Sequence, residues 1–177
     1  VACDAYHTDT DLDTGAVRIF NCYGPRESLD SDSSHVIPSL CRKVVEADNG
    51  DSIELFGDGT QERGFIYVTD LVEGMLRAID QKTDGEPINL GNGEEVVSIN
   101  ELAETIIEIS GKNLEIEHDL SKPTGTDKYA ADTTKMEAEL DWTPSITLEE
   151  GVREVYDYAR SELNEKTKAV AADGVER

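Results

Sequence analysis

The feature that most constrains the fold is the stretch Leu-Phe-Gly-Asp-Gly-Thr-Gln-Glu-Arg-Gly-Phe-Ile-Tyr-Val-Thr-Asp at residues 55–70. Gly57 and Gly59 adopt positive φ at little steric cost, which predicts a tight turn after a strand. Residues 65–68 are all strand formers. Asp70, followed three residues later by a glutamate, is typical of a capping box at the start of a helix. The stretch therefore predicts strand, turn, strand and helix in succession.

Two polar residues near the predicted strands are candidates for ligand binding. Arg63 leaves the predicted turn beside a rigid strand, and its planar guanidinium is suited to hold a phosphate. The alternative is an ordinary ion pair between Arg63 and a neighbouring carboxylate. Asn21 follows the short apolar strand at residues 16–20, where α/β proteins place ligand-binding loops. Its amide suits a sugar hydroxyl or a phosphate, and the alternative is a local Asx turn.

Short apolar strands alternate with amphipathic helices along the chain, and this order predicts an α/β fold. The strand at residues 16–20 reads as part of a parallel sheet, and the other elements are expected to form a smaller mixed α/β lobe. Ser98 and Glu101 form a second capping-box pattern. Periodicity predicts helices at residues 1–10, 36–46, 70–79, 98–110, 132–140 and 147–163, and strands at 52–56, 87–90 and 114–117. Residues 164–177 have almost no large apolar side chains and are expected to be a disordered tail.

Charge restricts the partners of the chain. Sixteen basic residues stand against 39 acidic ones, which gives a net charge of −23. Such a surface repels nucleic acid and anionic membranes, so we expect neither as a partner. The composition is typical of a halophilic protein, in which high ionic strength screens self-repulsion. The alternative is an ordinary acidic cytosolic protein.

Cysteine and histidine usage gives no sign of a disulfide framework or a metal centre. Cys3, Cys22 and Cys41 are far apart and odd in number, which predicts reduced thiols in a cytoplasm. The three histidines are dispersed, so no metal site is expected. No apolar run approaches the ~20 residues that cross a bilayer. The sequence starts without Met in the middle of a helical pattern, which suggests either a fragment of a longer chain or a processed chain.

Several blocks together carry a resemblance to a known family. Residues 18–26, Arg-Ile-Phe-Asn-Cys-Tyr-Gly-Pro-Arg, resemble the R-x-x-N-x-Y-G-P block of the NAD-dependent nucleotide-sugar epimerases and dehydratases, which are extended short-chain dehydrogenase/reductases. Residues 57–70 resemble their G-D-G-x-Q-x-R-x-F-x-Y-V-x-D block. Asn-Leu-Gly at 89–91, Tyr-Ala-Ala-Asp at 129–132 and Leu-Asp-Trp-Thr-Pro at 140–144 are similar to three later signatures. The resemblance covers residues 1–163 and implies the C-terminal, substrate-binding part of a Rossmann-type enzyme.

The resemblance implies a nucleotide-sugar substrate, which is a UDP-, dTDP- or GDP-hexose, and NAD as the cofactor. It implies that Asn21 touches the sugar or the diphosphate, and that Arg63 holds the diphosphate. Lys122 matches a second phosphate-binding position that is Arg in the family, and Lys keeps the charge but loses the bidentate fork. The other implied contacts are Glu54 and Phe56 at the base, Ser98 at the nucleotide and Ile19 near the nicotinamide.

Two motifs that the family's redox chemistry needs do not occur in the sequence. They are the G-x-x-G-x-x-G loop for the NAD pyrophosphate and the catalytic Tyr-x-x-x-Lys pair. We therefore assign no catalytic residue, and expect the chain alone to be inactive and to bind NAD weakly. For the full-length family enzyme the resemblance implies a homodimer.

Several functions stay open at this point. The first option is the sugar-nucleotide-binding part of a UDP-glucose 4-epimerase-like enzyme, which the Gln-Glu-Arg-Gly-Phe form of the second block favours. The second option is the same part of a dTDP-glucose 4,6-dehydratase-like enzyme. A third option is a non-catalytic module that binds nucleotide sugars. An acidic α/β domain without a ligand is disfavoured because Asn21, Arg63 and Lys122 are three phosphate-compatible groups at loop positions.

Overall fold

The computed structural model describes residues 2–10, 12–30, 34–81 and 84–174, with side chains described as far as residue 166. The described helices and strands, in chain order, are α1 (Ala2–Asp9), β1 (Thr14–Ile19), β2 (Cys22–Tyr23), α2 (Val36–Glu46), β3 (Ser52–Phe56), β4 (Glu62–Gly64), β5 (Ile66–Tyr67), α3 (Val68–Gln81), β6 (Asp84–Leu90), β7 (Val96–Ser98), α4 (Ile99–Ser110), β8 (Glu115–Asp119), β9 (Lys128–Tyr129), α5 (Thr134–Leu140) and α6 (Leu148–Gly174). This is the predicted alternation of helices with strands, and the strand pairs described below are parallel.

The chain divides into two compact units that are interleaved along the sequence. Unit 1 comprises the described residues within 1–23, 62–97 and 126–148, and unit 2 those within 24–61, 98–125 and 149–177. The division falls inside the stretch 55–70, because β3 belongs to unit 2 and β4 to unit 1. The strand and the turn after it are confirmed, but the second strand, predicted at residues 65–68, is observed as two short strands, β4 and β5, and Val68 already begins α3. The strands β3 and β4 take different partners.

Unit 1 is built on the parallel pair β1–β6, in which Arg18 lies opposite Asn89 and Ile19 opposite Leu90. The prediction of a parallel strand at this point is therefore confirmed. A buried apolar cluster lies beside the pair, and its members are Ile66, Leu71, Ala78, Ile88, Leu90, Met136, Leu140 and Trp142. A three-stranded sheet of short strands places β4 between β7 and β9, with β4 and β9 parallel. This sheet therefore joins three segments that are distant in the sequence, at residues 62–64, 96–98 and 128–129.

Asp70 has a different role from the predicted one. Helix α3 begins at Val68, so Asp70 lies in its first turn and is not the N-cap. Its buried carboxylate accepts hydrogen bonds from the backbone N–H groups of Ser145 and Ile146, at 3.0 Å and 2.9 Å, and from the Ser145 hydroxyl at 3.1 Å. The capping-box prediction at this position is therefore wrong, because the acceptor is used by a loop distant in sequence.

Unit 2 is built on the parallel pair β3–β8, whose register places Glu54 opposite Glu117 and Phe56 opposite Asp119. Helices α2 and α4 pack in the same unit through buried aliphatic side chains. The capping box predicted for α4 is present, and Gly111 ends the helix in the left-handed conformation at φ 69°. The local signals of this helix therefore predicted both of its ends.

The last helix, α6, is described to Gly174, past Leu163 where the sequence predicts its end. The continuation contains the good helix formers Glu, Lys and Ala, so helix propensity persists after the apolar face has ended. Residues 175–177 lie outside the described part of the chain. Among the described residues, no helix has the length and apolar character to cross a bilayer, and no group of three or more His, Cys, Asp or Glu side chains is arranged to hold a metal ion.

Candidate functional site

The first group of candidate residues lies where β1 ends in unit 1. Asn21 follows this strand in a left-handed conformation, at φ 40°, which Asn adopts more readily than most residues. Its Nδ2 donates to the carbonyl oxygen of Gly64 at 2.9 Å and to that of Tyr129 at 3.4 Å. These acceptors are distant in sequence, so the amide nitrogen of Asn21 makes tertiary contacts and not local ones. Asn21 therefore ties the end of β1 to β4 and β9.

Arg63 lies beside the same junction. It is half-buried in β4, between Glu62 and Gly64, and is paired in register with Tyr129 of β9. Its Nη1 donates to the Glu62 carbonyl oxygen at 2.7 Å, which fixes part of the guanidinium against the strand. The carboxylate of Glu62 accepts instead from Lys128, at 2.8 Å. Asn21 and Arg63 were both candidates for ligand binding from the sequence. The structure places them together where the end of β1 contacts β4 and β9.

Close packing explains why glycine occupies the position after Arg63. A Cβ atom on Gly64 would lie 2.3 Å from the carbonyl oxygen of Asn92, closer than real Cβ contacts. The rings of Phe20 and Tyr129 stack nearby, with centroids 5.3 Å apart and an interplanar angle of 26°. Ile19, at the end of β1, keeps 49% of its surface exposed. The unit 1 group therefore combines an amide, a guanidinium and exposed apolar surface.

The second group lies on the outer face of β3 in unit 2. Along this strand Ile53 and Leu55 are buried, whereas Glu54 and Phe56 alternate with them and are exposed. Lys43 of α2 donates from Nζ to the Glu54 carbonyl oxygen at 2.6 Å. Its ammonium also lies over the Phe56 ring, 5.1 Å from the centroid. The structure thus places a fixed cation beside the two residues that the resemblance assigned to the base.

Lys122 reaches the same ring from the loop after β8. Its Nζ lies 5.5 Å from the centroid of Phe56. The approach of this loop depends on Gly57, which has φ 72° and whose Cβ, if present, would lie only 1.9 Å from Cγ2 of Thr124. The turn that carries Lys122 is held by Asp119, whose carboxylate accepts from the Ser121 N–H at 2.9 Å and from its hydroxyl at 2.6 Å. Phe56 and Lys122, predicted separately, are therefore in contact.

The electrostatics of the two charged groups on this face follow from their surroundings. Burial lowers the pKa of Lys43, and the attraction of Glu54 partly opposes that shift. The hydrogen bonds from Ser121, with a smaller contribution from Lys122, lower the pKa of Asp119. At neutral pH the face therefore carries both ammonium and carboxylate groups within a short distance of an exposed aromatic ring.

Ser98, which was predicted to contact the nucleotide, is placed at the N-cap of α4. Its hydroxyl accepts from the Glu101 N–H at 3.1 Å and donates to the Glu101 carboxylate at 2.8 Å, while its own N–H donates to that carboxylate at 2.7 Å. The structure gives this side chain a helix-capping role, and the nucleotide contact stays a prediction.

Sequence reasoning missed Lys43 and Tyr129 as parts of these groups. Lys43 lies within the helix predicted at residues 36–46 and was assigned no role, although it flanks the apolar stripe formed by Leu40 and Val44. A basic residue at the border of a buried stripe is a usable signal, because its long aliphatic stem covers apolar surface while its charge reaches out. Tyr129 begins the Tyr-Ala-Ala-Asp block that contributed to the family resemblance, but that block did not indicate a role for Tyr129 in this group.

Comparison with known proteins gives a consistent result. A family model described as the NAD dependent epimerase/dehydratase family matches residues 1–91. GDP-L-fucose synthase 1 from Arabidopsis thaliana is 34% identical over 158 residues, 88% of this chain and 48% of that protein. GDP-mannose 3,5-epimerase from the same plant is 32% identical over 171 residues, 97% of this chain and 44% of that protein. The chain therefore spans about half the length of the curated relatives it matches.

A solved structure is also similar. The UDP-glucose 4-epimerase of Thermotoga maritima, determined with UDP-glucose, matches with a TM-score of 0.77 and 29% identity, over 89% of this chain and 49% of that one. The matched share again corresponds to about half of the longer protein. Sequence and structure comparisons thus agree on the kind of protein that this chain resembles.

Proposed function

Since the chain belongs to the NAD dependent epimerase/dehydratase family, we propose that it supplies the sugar-nucleotide-binding residues of an enzyme acting on nucleoside diphosphate hexoses. The observation that carries the proposal is the placement of Asn21 beside Arg63. The Asn21 amide binds the carbonyl of Gly64, the next residue after Arg63, and the carbonyl of Tyr129, its partner in register. The carboxamide of Asn21 and the guanidinium of Arg63 therefore lie together where the end of β1 contacts the strands β4 and β9.

These two groups suit a sugar diphosphate. The guanidinium of Arg63 offers parallel N–H donors in a fixed fork, which matches the oxygens of a diphosphate. The contact with the Glu62 carbonyl limits its motion, so little side-chain freedom is lost on binding. The two N–H donors of the Asn21 carboxamide are used by the carbonyl oxygens of Gly64 and Tyr129, so toward a sugar hydroxyl the amide offers its Oδ1 as an acceptor. Phe56 and Lys122, which both belong to unit 2, are a separate candidate group that offers an aromatic surface and a cation to a nucleotide.

The chain's own residues fit one part of the NAD cofactor. Ile19 is half-exposed at the carboxyl end of a parallel strand, which is where α/β proteins bind ligands, and an apolar side chain there suits the nicotinamide ring. When bound, NAD supplies the hydride acceptor of the family's chemistry. The sequence contains no glycine loop for the pyrophosphate and no Tyr-x-x-x-Lys pair, so no proton-transfer step is assigned to this chain.

Two activities are supported by particular similarities. A UDP-glucose 4-epimerase-like activity is supported by the likeness to the Thermotoga maritima enzyme. Action on a GDP-hexose is supported by the curated plant relatives, whose names specify GDP-sugars. Both share the nucleoside diphosphate hexose. A homodimer and a cytoplasmic location, which the resemblance and the cysteines suggested, stay predictions.

The test is binding of UDP-glucose and GDP-mannose to the purified chain, measured by isothermal titration calorimetry. Charge-assisted hydrogen bonds contribute about 1.5–3 kcal/mol, so Arg63→Ala should weaken binding roughly tenfold to a hundredfold. Arg63→Lys should recover part of the loss, and Lys122→Ala should lose less than Arg63→Ala. Arg153→Ala, which removes an exposed arginine paired with Glu149, is the matched control.

The outcome that contradicts the proposal is equally clear. If Arg63 serves only as a surface ion-pair partner, Arg63→Ala changes stability by less than ~1 kcal/mol and leaves both affinities unchanged. Binding of neither sugar nucleotide by the wild-type chain would also refute the proposal.

A further inference from the structure

The C-terminal end of helix α2 is held by Lys112, which lies in the loop after α4. Its ammonium donates to the carbonyl oxygens of Val44, Val45 and Ala47, at 2.7, 2.9 and 2.7 Å. The last carbonyl groups of a helix have no partner within it, and an ammonium has three N–H donors. Lys112 therefore satisfies three acceptors at once, and its charge lies at the negative end of the helix dipole.

Two local features direct Lys112 to this helix end. Gly111 ends α4 in the left-handed conformation, at φ 69°, and turns the chain out of that helix. The N–H of Asn113 donates to Oδ1 of Asn49 at 2.8 Å, and the Gly50 N–H donates to the Asn113 carbonyl oxygen at 2.8 Å. The loop that carries Lys112 is therefore tied to the loop that follows α2, and both loops belong to unit 2.

Lys43 lies in the turn of α2 that Lys112 holds. The Lys43 carbonyl oxygen accepts the N–H of Ala47 at 3.0 Å, and Ala47 is one of the residues bound by Lys112. The side chain of Lys43 reaches β3, where its Nζ donates to the Glu54 carbonyl oxygen at 2.6 Å and lies 5.1 Å from the centroid of the exposed Phe56 ring. That bond uses one of three N–H donors, so the others can bind oxygen atoms of a nucleotide.

We propose that Lys112 is a positioning residue for nucleotide binding, because it fixes the last turn of α2 and thereby holds the Lys43 ammonium beside Phe56. The inference rests on the proposed function, since it concerns the nucleotide of the same substrate. Without Lys112 three carbonyl groups lose their partner, and a helix end without partners is less ordered. A cation that is ordered in the free protein then has to be ordered by the ligand, which weakens binding.

The first experiment needs no ligand. It measures the pKa of Lys43 by NMR titration of its ε-methylene signals in the wild type and in Lys112→Met. Burial lowers that pKa, the attraction of Glu54 opposes the shift, and Arg42 adds to it. Because burial is the largest of these causes, release of the last turn should raise the pKa of Lys43 toward the ordinary value of 10.5. Asn49→Ala, which removes a hydrogen bond of the same junction and keeps the contacts of Lys112, is the matched control and should leave this pKa unchanged.

The second experiment is calorimetric titration with UDP-glucose and GDP-mannose at one fixed KCl concentration at which all variants are folded. Lys43→Met removes a charge-assisted contact and should weaken binding roughly tenfold or more. Lys112→Met should weaken it by about threefold to tenfold in the wild-type background, but by less than about twofold in the Lys43→Met background, because its effect passes through Lys43. Lys112→Arg keeps the charge and should recover part of the affinity. A role in stability alone would leave the affinity of the folded protein unchanged.

The outcomes separate this inference from the proposed function. An unchanged pKa of Lys43 in Lys112→Met, an unchanged affinity, or an equal loss in the Lys43→Met background overturns the positioning role of Lys112. An Asn49→Ala variant that matches Lys112→Met in both measurements also overturns it, because general loosening of the junction would then account for the effect. If Arg63→Ala still weakens binding, each of these results leaves the proposed function supported. Absence of binding of both sugar nucleotides by the wild-type chain overturns both.

Discussion

Replacing Asp70 tests whether the carboxylate at the end of the stretch 55–70 anchors the loop at Ser145 and Ile146. Two backbone N–H groups and one hydroxyl donate to this carboxylate, which is only 3% exposed. Asp70→Ala removes the acceptor of the two N–H groups. Because Ser145 is exposed and Ile146 is half-buried, water replaces part of the loss, and each bond to the carboxylate contributes about 1–3 kcal/mol. We therefore expect a loss of about 2–6 kcal/mol in the free energy of unfolding.

Asp70→Asn should lie between wild type and Asp70→Ala. The amide oxygen can face the two backbone donors while the amide nitrogen donates to the Ser145 hydroxyl, so the hydrogen bonds persist without the charge. Neutral bonds contribute about half as much as charge-assisted ones, which predicts a loss of about 1–3 kcal/mol. The assay is urea unfolding followed by circular dichroism, supported by thermal melts, where each kcal/mol shifts the Tm by about 2–4 °C.

Asp80→Ala is the matched control, because it removes an exposed carboxylate from the same helix and changes the net charge equally. Such a surface substitution should change the free energy of unfolding by less than about 0.5 kcal/mol. The reasoning is refuted if Asp70→Ala and Asp80→Ala are equally stable, because the three hydrogen bonds would then contribute nothing.

Three further predictions follow from the charge, the helix cap and the missing motifs. The Tm should rise from dilute buffer to molar KCl, since the Debye length falls from ~30 Å at 0.01 M to ~3 Å at 1 M, and a flat or falling series contradicts the halophilic interpretation. Ser98→Ala should cost about 1 kcal/mol of stability. Hydrogen bonds from Ser98 lower the pKa of Glu101 below its ordinary value of 4.5, so this difference is present above pH 4.5 and should shrink as the pH falls through the lowered pKa; urea midpoints at pH 7 and pH 3 check it. The purified chain should turn over no UDP- or GDP-hexose with NAD, and product detected by chromatography would contradict that expectation.

Features encoded by short spacings were predictable. The capping box of Ser98 and Glu101 spans three residues, and the left-handed turn at Gly57 requires only that no Cβ is present, so both follow from local sequence. The same logic failed at Asp70, where a similar local pattern, Asp70 followed by Glu73, exists. There the Asp70 carboxylate accepts from Ser145, which lies 75 residues away in the sequence. The local spacing of residues cannot show whether a carboxylate accepts from its own helix or from a distant segment.

The sequence by itself determined the types and approximate limits of most elements, and the identity of the phosphate-compatible residues Asn21, Arg63 and Lys122. Only the tertiary structure decided their neighbours. It placed Asn21 on the carbonyls of Gly64 and Tyr129, and it brought Lys43 to Phe56. The physical reason is that helix caps, turns and periodicity are satisfied within a few residues. Strand pairing and side-chain contacts between distant segments depend instead on how the whole chain buries its apolar surface.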